Sequence, residues 1–311
     1  MIKHIGLIGA GAVGSVLAQH FMSIDKPHFS IIATGRRADV LSANGLCVNG
    51  EKLLPRIISD EPVEPIDLLI IAVKNYNLQE AIRDFSPFIN SNTILLPFLN
   101  GISVHKQLQS AFPNNRILYG IISKIDAHRT PDGVRYNTSG KMIIGYKNNT
   151  DPSADLMSTL DCFRAANLDT FIGEDMEREV WKKWMLNVGA NQVSALTGAD
   201  YLAFSRIPEI RILLQSAMTE VLNLAKAASV NLYPSDINDL LSYLLNYPYP
   251  KKTSMLQDIE AHRKTEIDDI SKIVLELGTQ YNIPTPVNKT LYYAIKAKET
   301  AYLLNHLEDT I

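Results

Sequence analysis

Residues 5–14 read Ile5-Gly6-Leu7-Ile8-Gly9-Ala10-Gly11-Ala12-Val13-Gly14, an apolar run that leads into the pattern Gly-x-Gly-x-x-Gly. A helical stretch follows over residues 15–21. In this pattern Gly9 makes a tight turn, Gly11 lets the backbone approach a pyrophosphate, and Gly14 lets the helix pack closely on the strand. The start of the helix offers free N–H groups and the positive end of its dipole to phosphates. A glycine-rich turn without a ligand is the alternative, but the position between a strand and a helix favours a dinucleotide site.

The first half of the chain, outward from this motif, alternates apolar runs with helical or turn-rich stretches. Its predicted strands cover residues 5–9, 29–34, 66–73, 93–97 and 117–122. Residues 68–73 are apolar without alternation, which is typical of a parallel sheet covered on both faces. The pattern predicts a doubly wound, Rossmann-type α/β domain over residues 1–172. Turn signals within residues 130–145 predict an antiparallel hairpin that closes the sheet.

The second half is helical in character almost to its end. We predict helices over residues 176–197, 208–228, 235–245, 255–281 and 285–306, with a proline-containing loop at 246–253. The sequence therefore predicts an all-α C-terminal domain over residues 173–311.

Composition and charge exclude several classes of function. Apolar residues make up 46% and charged residues 20% of the chain, as in ordinary globular proteins. The net charge of −3 gives no basic face for nucleic acid or an anionic membrane, and no apolar run approaches a membrane span. The two cysteines lack metal-ligand spacing, which favours reduced thiols and no metal site. With no signal peptide before the first strand, we expect a cytoplasmic protein. A homodimer is compatible with the sequence.

The end of the second predicted strand indicates which dinucleotide binds. An NAD enzyme usually carries an acidic residue here to bind the ribose 2′-hydroxyl. This chain has Arg36 and Arg37 instead, and a guanidinium can hold a 2′-phosphate that an acid would repel. The alternative is that both arginines are solvated residues at a helix start. We predict NADP(H) as the cofactor, with either arginine as the 2′-phosphate ligand.

Polar residues follow two of the predicted strands directly. Lys74 comes after the run 66–73, and Asn100-Gly101 comes after the run 93–97. Ligands of open α/β sheets bind outside the carboxyl ends of the strands, so both residues are candidates for cofactor or substrate contacts. A surface lysine and a plain turn are the alternative.

The predicted helix 176–197 carries a row of polar residues on its apolar side. Lys183, Asn187 and Asn191 follow one another at intervals of four residues and overlap the apolar stripe. Buried polar groups are costly unless they are paired, and a ligand is one way to pair them. A polar network that only fixes the helix register is the alternative. Lys182 lies about 100° away around the helix and is predicted to face solvent.

A second buried charge is predicted at Glu266. It occupies a core-facing position if residues 255–281 form one helix, because it lies seven residues after Ile259 and four before Ile270. A buried carboxylate needs a partner, and both Lys183 and Arg263 are candidates.

Taken together, these motifs resemble the ketopantoate reductase (2-dehydropantoate 2-reductase) family over essentially the whole chain. The resemblance rests on the glycine motif, Val73-Lys74, Asn100-Gly101, Trp181-Lys182-Lys183 through Asn187 to Asn191, Ser254-Met255-Leu256-Gln257-Asp258 and Thr265-Glu266-Ile267-Asp268.

The resemblance implies a role for each matching residue. Lys183 is expected to act as general acid, and Glu266 to support substrate, cofactor and lysine. Asn187, Asn191 and Ser254 are expected to hydrogen-bond the substrate, while Lys74 and Asn100 line the nicotinamide and substrate cleft. The implied cofactor-binding loop comprises Gly9, Ala10, Gly11, Ala12, Val13 and Gly14.

The implied reaction is NADPH-dependent reduction of ketopantoate to pantoate, for pantothenate and coenzyme A synthesis. Two other functions are retained. One is the reduction of a different small 2-keto acid, and the other is a non-catalytic NADP-binding sensor.

Overall fold

A computed structural model of the protein describes residues 2–25, 27–59, 65–247 and 249–308, with the side chains of 303 and 305–308 excepted. The chain divides into two compact units, Met1–Val180 and Trp181–Ile311. The predicted domain boundary between residues 172 and 173 stays a prediction.

The first unit contains β strands and α helices in alternation. Its strands are β1 (His4–Ile8), β2 (His28–Ile32), β3 (Leu46–Val48), β4 (Glu51–Leu53), β5 (Arg56–Ile58), β6 (Leu68–Ile71), β7 (Ile94–Pro97), β8 (Arg116–Ile117), β9 (Tyr119–Ser123), β10 (His128–Thr130), β11 (Gly133–Arg135), β12 (Lys141–Gly145) and β13 (Thr170–Ile172). Its helices are α1 (Ala12–Met22), α2 (Gly35–Asn44), α3 (Leu78–Phe85), α4 (Val104–Ala111) and α5 (Ala154–Ala165), with short 3₁₀ turns at Asn75–Asn77 and Ser86–Phe88.

Six of these strands form a sheet in the order β5-β2-β1-β6-β7-β8, and every neighbouring pair in it is parallel. The order reverses between β1 and β6, because the chain first adds strands on one side of β1 and then on the other. Ligands bind outside the carboxyl ends of the strands at such a switch point. The prediction of a doubly wound α/β fold is confirmed.

The sheet is buried on both faces. All four residues of β6 are fully buried, and they alternate between two apolar cores. Leu68 and Ile70 belong to the core that contains residues of α1 and α5, while Leu69 and Ile71 belong to the core that contains residues of α3 and α4. Burial on both sides explains why the sequence shows no polar alternation here.

The strand predicted over residues 117–122 is two strands in different sheets. β8 is the last strand of the parallel sheet, whereas β9 belongs to a three-stranded sheet of order β13-β12-β9. Leu118, between them, is fully buried and donates its N–H to the Leu95 carbonyl over 2.9 Å. The apolar run therefore continues across the change of sheet, and hydropathy alone could not show where one strand ends.

The hairpin predicted within residues 130–145 exists, but it does not close the large sheet. β10 and β11 pair antiparallel in a separate four-stranded sheet of order β10-β11-β3-β4, and β12 joins β9 instead. A parallel bridge from Val134 to Val48 attaches the hairpin to β3. The prediction of its position was wrong because this pairing joins segments about ninety residues apart, which local turn signals do not report.

The second unit is helical throughout its described residues, as predicted. Its helices are α6 (Met176–Thr197), which begins in the first unit, α7 (Tyr201–Arg206), α8 (Pro208–Ala227), α9 (Pro234–Leu245), α10 (Ser254–Glu260), α11 (Ile273–Tyr281) and α12 (Pro286–Glu308). A π-helical segment, Asp268–Lys272, leads directly into α11.

The single helix predicted over residues 255–281 was wrong. The chain leaves the helix after Glu260, passes through a left-handed residue at His262 (φ 50°), and resumes helical structure at residue 267. Ile259, Ile267 and Ile270 are all buried, so apolar residues continue at helical spacing on both sides of the break. Periodicity therefore could not reveal it.

Within the described ranges, no helix is both long enough and apolar enough to cross a membrane. Cys47 and Cys162 are both free thiols.

Candidate active site

The glycine motif forms the turn from β1 into α1. Gly9 has φ 101°, and a Cβ there would lie 2.6 Å from the carbonyl carbon of Ala72. A Cβ on Gly14 would overlap the carbonyl oxygen of Gly9, so the first turn of α1 packs directly on the loop. Neither position can carry a side chain without displacing backbone.

Gly11 is different, because the space beside it is open. It is the N-cap of α1, where no side chain caps the helix and no acidic residue occupies the first turn. Apart from the adjoining backbone, a Cβ on Gly11 would meet one group of the described residues within 4 Å, the Nη2 atom of Arg129 at 3.8 Å. Open space before an uncapped helix N-terminus fits the pyrophosphate of a dinucleotide.

Arg129 lies at this helix start, and Arg37 lies close to Arg129. Arg36 and Arg37 lie in the first turn of α2, which begins just after β2 and contains no acidic residue in that turn. Arg37 remains partly exposed, but burial of the rest of its side chain, and then repulsion from Arg129, lower its pKa. Arg129 was not predicted from the sequence. It comes from β10, more than ninety residues later, and no local pattern marks it.

Lys74 and Asn100 lie at the carboxyl ends of neighbouring parallel strands. Half-buried Lys74 precedes the 3₁₀ turn after β6, and Asn100 follows β7. The side-chain amide of Asn75 donates to the Asn100 carbonyl over 2.5 Å and ties the two loops together. Because β6 also neighbours β1, both residues share the sheet edge that carries the glycine turn.

Helix α6 carries the predicted polar row of the second unit. Lys183 and Asn187 are half-buried, and Asn191 is buried. Trp184, beside Lys183, is fully buried and donates its indole N–H to the Ile270 carbonyl over 3.0 Å. This bond fixes α6 against the π-helical segment, four residues beyond Glu266.

Lys183 and Glu266 interact within this unit. The ammonium of Lys183 lies among protein atoms although part of the residue is exposed, and this burial lowers its pKa to about 8. Attraction to Glu266 acts in the opposite direction and raises that pKa. Glu266 is itself buried, with 4% of its surface exposed. The structure therefore brings these two residues together and makes the lysine a stronger acid than an exposed one.

Glu266 is buried, but for a different reason from the one predicted. It precedes the π-helical segment rather than lying within a long helix. The neighbouring Thr265 donates its N–H, over 2.9 Å, and its hydroxyl, over 2.5 Å, to the carboxylate of Glu299 on α12. Glu299 is 2% exposed and also accepts from Lys296 over 3.0 Å. The carboxylate of Glu299 thus binds the residue that precedes Glu266. The sequence analysis did not identify Glu299.

Arg263, the rival partner considered for Glu266, pairs elsewhere. Its guanidinium contacts the carboxylate of Asp258 through Nε at 3.0 Å and Nη2 at 2.9 Å. About half of the Arg263 side chain remains exposed, at 51%. Lys183, the other candidate partner, does interact with Glu266.

The expectation that Lys182 faces solvent was wrong. Its ammonium lies 2.8 Å from the carboxylate of Asp236, whose side chain is only 2% exposed. That carboxylate also accepts the N–H of Tyr233 at the start of α9. Lys182 therefore neutralises a buried cap of another helix, a partnership that the helical wheel of α6 cannot show.

Ser254 is exposed at the first position of α10. The cap of this helix is its neighbour Thr253, whose hydroxyl accepts the N–H of Leu256 over 3.2 Å. Among the described residues, no hydrogen bond joins Ser254 to Lys183, Asn187 or Glu266. The role of Ser254 in binding the substrate stays a prediction.

Comparison with known proteins decides the family. Residues 5–149 match the family model described as ketopantoate reductase PanE/ApbA, and residues 175–299 match the model of its C-terminal part. The chain belongs to the ketopantoate reductase family. The predicted resemblance is confirmed, and with it the assignment as an oxidoreductase of the kind that uses a nicotinamide cofactor, which is NADPH in this family.

Individual relatives are distant in sequence but align over nearly the full chain. The 2-dehydropantoate 2-reductase of Pyrococcus horikoshii is 26% identical, with 95% of this chain and 97% of the relative covered. The uncharacterized oxidoreductase YkpB of Bacillus subtilis is 23% identical, with 94% and 98% covered.

Solved structures share the fold. A 2-dehydropantoate 2-reductase of Methylococcus capsulatus superposes with a TM-score of 0.83 at 21% identity, covering 96% of this chain and 97% of that one. A D-mandelate dehydrogenase with NADH and anilino(oxo)acetate gives 0.86 at 21% identity, covering 96% and 99%.

Proposed function

We propose that this ketopantoate reductase family member reduces ketopantoate to pantoate with NADPH. The observation that carries the proposal is the buried Lys183 ammonium beside the buried carboxylate of Glu266. A supply of pantoate for pantothenate and coenzyme A, in the cytoplasm, is part of the same proposal.

The first unit supports the cofactor half of the reaction. The uncapped start of α1 can hold the pyrophosphate, and Arg36 and Arg37 supply positive charge at the end of β2, where a 2′-phosphate would lie. Lys74 and Asn100 lie at the same sheet edge and are proposed to contact the nicotinamide half. The bound cofactor supplies the hydride.

Lys183 is the proposed general acid. Reduction of a keto carbon leaves negative charge on its oxygen, and a positioned ammonium can donate a proton as that charge develops. With a pKa of about 8, the side chain is about 90% protonated at pH 7. It also gives up its proton more readily than a lysine at the ordinary value of 10.5.

Asn187 and Asn191 are proposed to orient the substrate. Asn191 is 5% exposed, and its carboxamide makes no hydrogen bond to another described residue. An amide that is not hydrogen-bonded to the protein can donate to a ligand oxygen, such as the carboxylate or keto oxygen of a 2-keto acid. It lies two helical turns from Lys183, on the same side of α6. Ser254, exposed at the first position of α10, is proposed to donate its hydroxyl to the same substrate.

Glu266 is proposed to keep Lys183 charged and oriented. Without a nearby anion, burial would favour the neutral amine, which cannot donate a proton. The attraction of Glu266 opposes this effect and raises the pKa of Lys183, which is about 8 as a result. The family resemblance also assigns Glu266 a contact with substrate and cofactor.

Reduction of another small 2-keto acid is the second candidate. The fold is shared with a D-mandelate dehydrogenase at a TM-score of 0.86, while the identities to the 2-dehydropantoate 2-reductases of Vibrio cholerae and Pyrococcus horikoshii are 24% and 26%. A lysine acid and amide donors would serve any 2-keto acid, because they address the group that all of them share.

The oxidation of NADPH, followed with a panel of 2-keto acids, tests the proposal. Ketopantoate, 2-oxoisovalerate, pyruvate and phenylglyoxylate differ only in the side chain beside the keto group. We expect kcat/KM for ketopantoate to exceed the others by at least about tenfold. A higher value for phenylglyoxylate would support the second candidate. NADPH binding without turnover of any acid would support a sensor.

A homodimer is a further part of the proposal. It is supported by a fold neighbour, a dimeric ketopantoate reductase of Staphylococcus aureus at a TM-score of 0.79 and 20% identity. Light scattering after size exclusion should give twice the 34.7 kDa of one chain, and a monomer mass would contradict the proposal.

A further inference from the structure

We propose that Arg129 is a phosphate ligand of the cofactor, supplied by the β10–β11 hairpin rather than by the glycine loop or the end of β2. The proposal rests on the NADPH binding of the proposed function. It assigns a role in cofactor binding to a residue that lies outside the dinucleotide motif.

Arg129 lies beside Gly11. Its Nη2 atom lies 3.8 Å from where a Cβ of Gly11 would be, and apart from the adjoining backbone no other heavy atom of the described residues comes within 4 Å of that point. In glycine-rich dinucleotide loops this second glycine is where the backbone approaches the pyrophosphate. A guanidinium on the open side of that glycine is therefore within reach of a phosphate seated on the loop.

The positive charge around Arg129 also favours the binding of an anion. Arg129 lies close enough to Arg37 for the two cations to repel each other. Among the described residues, neither Arg129 nor Arg37 forms an ion pair with a carboxylate. Two cations from different elements that converge without an anion between them are stabilised when an anion binds. The cofactor phosphates are such anions.

The hairpin is anchored to β3 and to α1. Val134, the cross-strand partner of Arg129, is buried and bridges to Val48 of β3. Just beyond the hairpin, Tyr136 donates its hydroxyl to Gln19 of α1 over 2.9 Å. Because the hairpin is anchored to the helix whose N-terminus would hold the phosphates, Arg129 is presented from a fixed position.

The same hairpin offers a matched control, Arg135. It pairs with His128 and is exposed, as is Arg129. Successive residues of a strand point to opposite faces, so Arg135 lies on the face opposite to Val134 and Arg129. Loss of Arg135 removes the same charge from the same hairpin but on the other side.

The dissociation constants of NADPH and NADH, measured by calorimetry without any keto acid, test the proposal. Arg129→Ala should raise the Kd of NADPH by about tenfold or more, since bonds to charged groups are among the stronger ones, and Arg135→Ala by less than about twofold. Arg129→Lys keeps the charge without the forked geometry and should fall between wild type and Arg129→Ala. Because Arg129 is exposed, all three variants should keep the wild-type circular dichroism spectrum.

The two cofactors identify which phosphate is bound. A loss confined to NADPH would assign Arg129 to the 2′-phosphate, and an equal loss for NADH would assign it to the pyrophosphate, which both cofactors carry. Unchanged affinity for both, or an equal effect of Arg135→Ala, would overturn the proposal while leaving the proposed function intact. Wild-type protein that failed to bind NADPH would instead contradict the proposed function, and this inference with it.

Discussion

Replacing Glu266 by glutamine removes one negative charge beside Lys183 and nearly preserves the shape of the side chain. Two effects set the pKa of Lys183: burial lowers it, and Glu266 raises it, with a result of about 8. In Glu266→Gln the effect of burial remains but the attraction of the carboxylate is lost, so the pKa of Lys183 should fall below 8. An opposite charge at close range contributes about 1–3 pKa units, which places the variant lysine at about 5–7.

The effect on turnover follows from the protonated fraction. An acid donates only while protonated, so kcat of the wild type should fall about tenfold per pH unit as the pH rises above about 8. At pH 7 the protonated fraction would decrease from about 90% to between about 50% and about 1% in Glu266→Gln. We therefore expect kcat at pH 7 to fall between about twofold and about a hundredfold, with recovery at lower pH.

The assay is NADPH oxidation at saturating keto acid, recorded for wild type and variant from about pH 5 to pH 10. Glu260→Gln is the matched control, because Glu260 is an exposed partner of Lys252 at 2.7 Å and should leave the profile unchanged. A falling limb that stays in place in Glu266→Gln, or that moves to higher pH, would refute the assigned coupling of Lys183 to Glu266.

Three further results are expected. The wild type should prefer NADPH to NADH by at least about tenfold in kcat/KM, and replacing both Arg36 and Arg37 by alanine should raise only the KM for NADPH; equal efficiencies would contradict the 2′-phosphate site. Glu299→Gln weakens the hydrogen bonds to Thr265, the residue before Glu266. It should lower kcat about tenfold and move the falling limb of the pH profile to lower pH, as in Glu266→Gln. A purely structural role would lower only the urea midpoint of unfolding. Lys182→Ala should reduce the free energy of unfolding by about 1–3 kcal/mol in urea titrations, because it removes the cation beside a buried carboxylate, and unchanged stability would show that this ion pair contributes nothing.

The sheet and the cofactor loop could be predicted because their physics is local. An apolar run without alternation, as in β6, indicates a strand covered on both faces, and the structure buries all four of its residues. The glycine spacing specifies a turn in which two positions cannot carry a Cβ, and both conditions are visible in one short stretch of sequence.

The break before Glu266 could not be predicted, because apolar periodicity continues across it. Ile259 and Ile270 are buried on either side, and what stops the helix is a left-handed residue and a carboxylate from α12 that holds Thr265. The prediction that Glu266 is buried is confirmed. The single long helix on which that prediction was based was wrong.

The partners of charged residues were the least predictable part of the site. Lys182 and Lys183 are neighbours in sequence, yet one pairs with Asp236 of α9 and the other is influenced by Glu266. Arg129 approaches the glycine loop from a hairpin more than a hundred residues away. Such pairings depend on how distant elements pack, and a single sequence contains no local signal for them.

Lys183 is proposed to protonate the keto oxygen during hydride transfer, and the kcat of Lys183→Ala measures this role. We expect kcat with ketopantoate and NADPH to fall by about 10²–10⁴, the range for a lost general acid, while the Kd of NADPH stays within about twofold. Lys182→Ala, measured at a temperature where it is folded, should keep kcat within about twofold of wild type. Normal turnover in Lys183→Ala, or a greater loss of kcat in Lys182→Ala than in Lys183→Ala, would contradict the account.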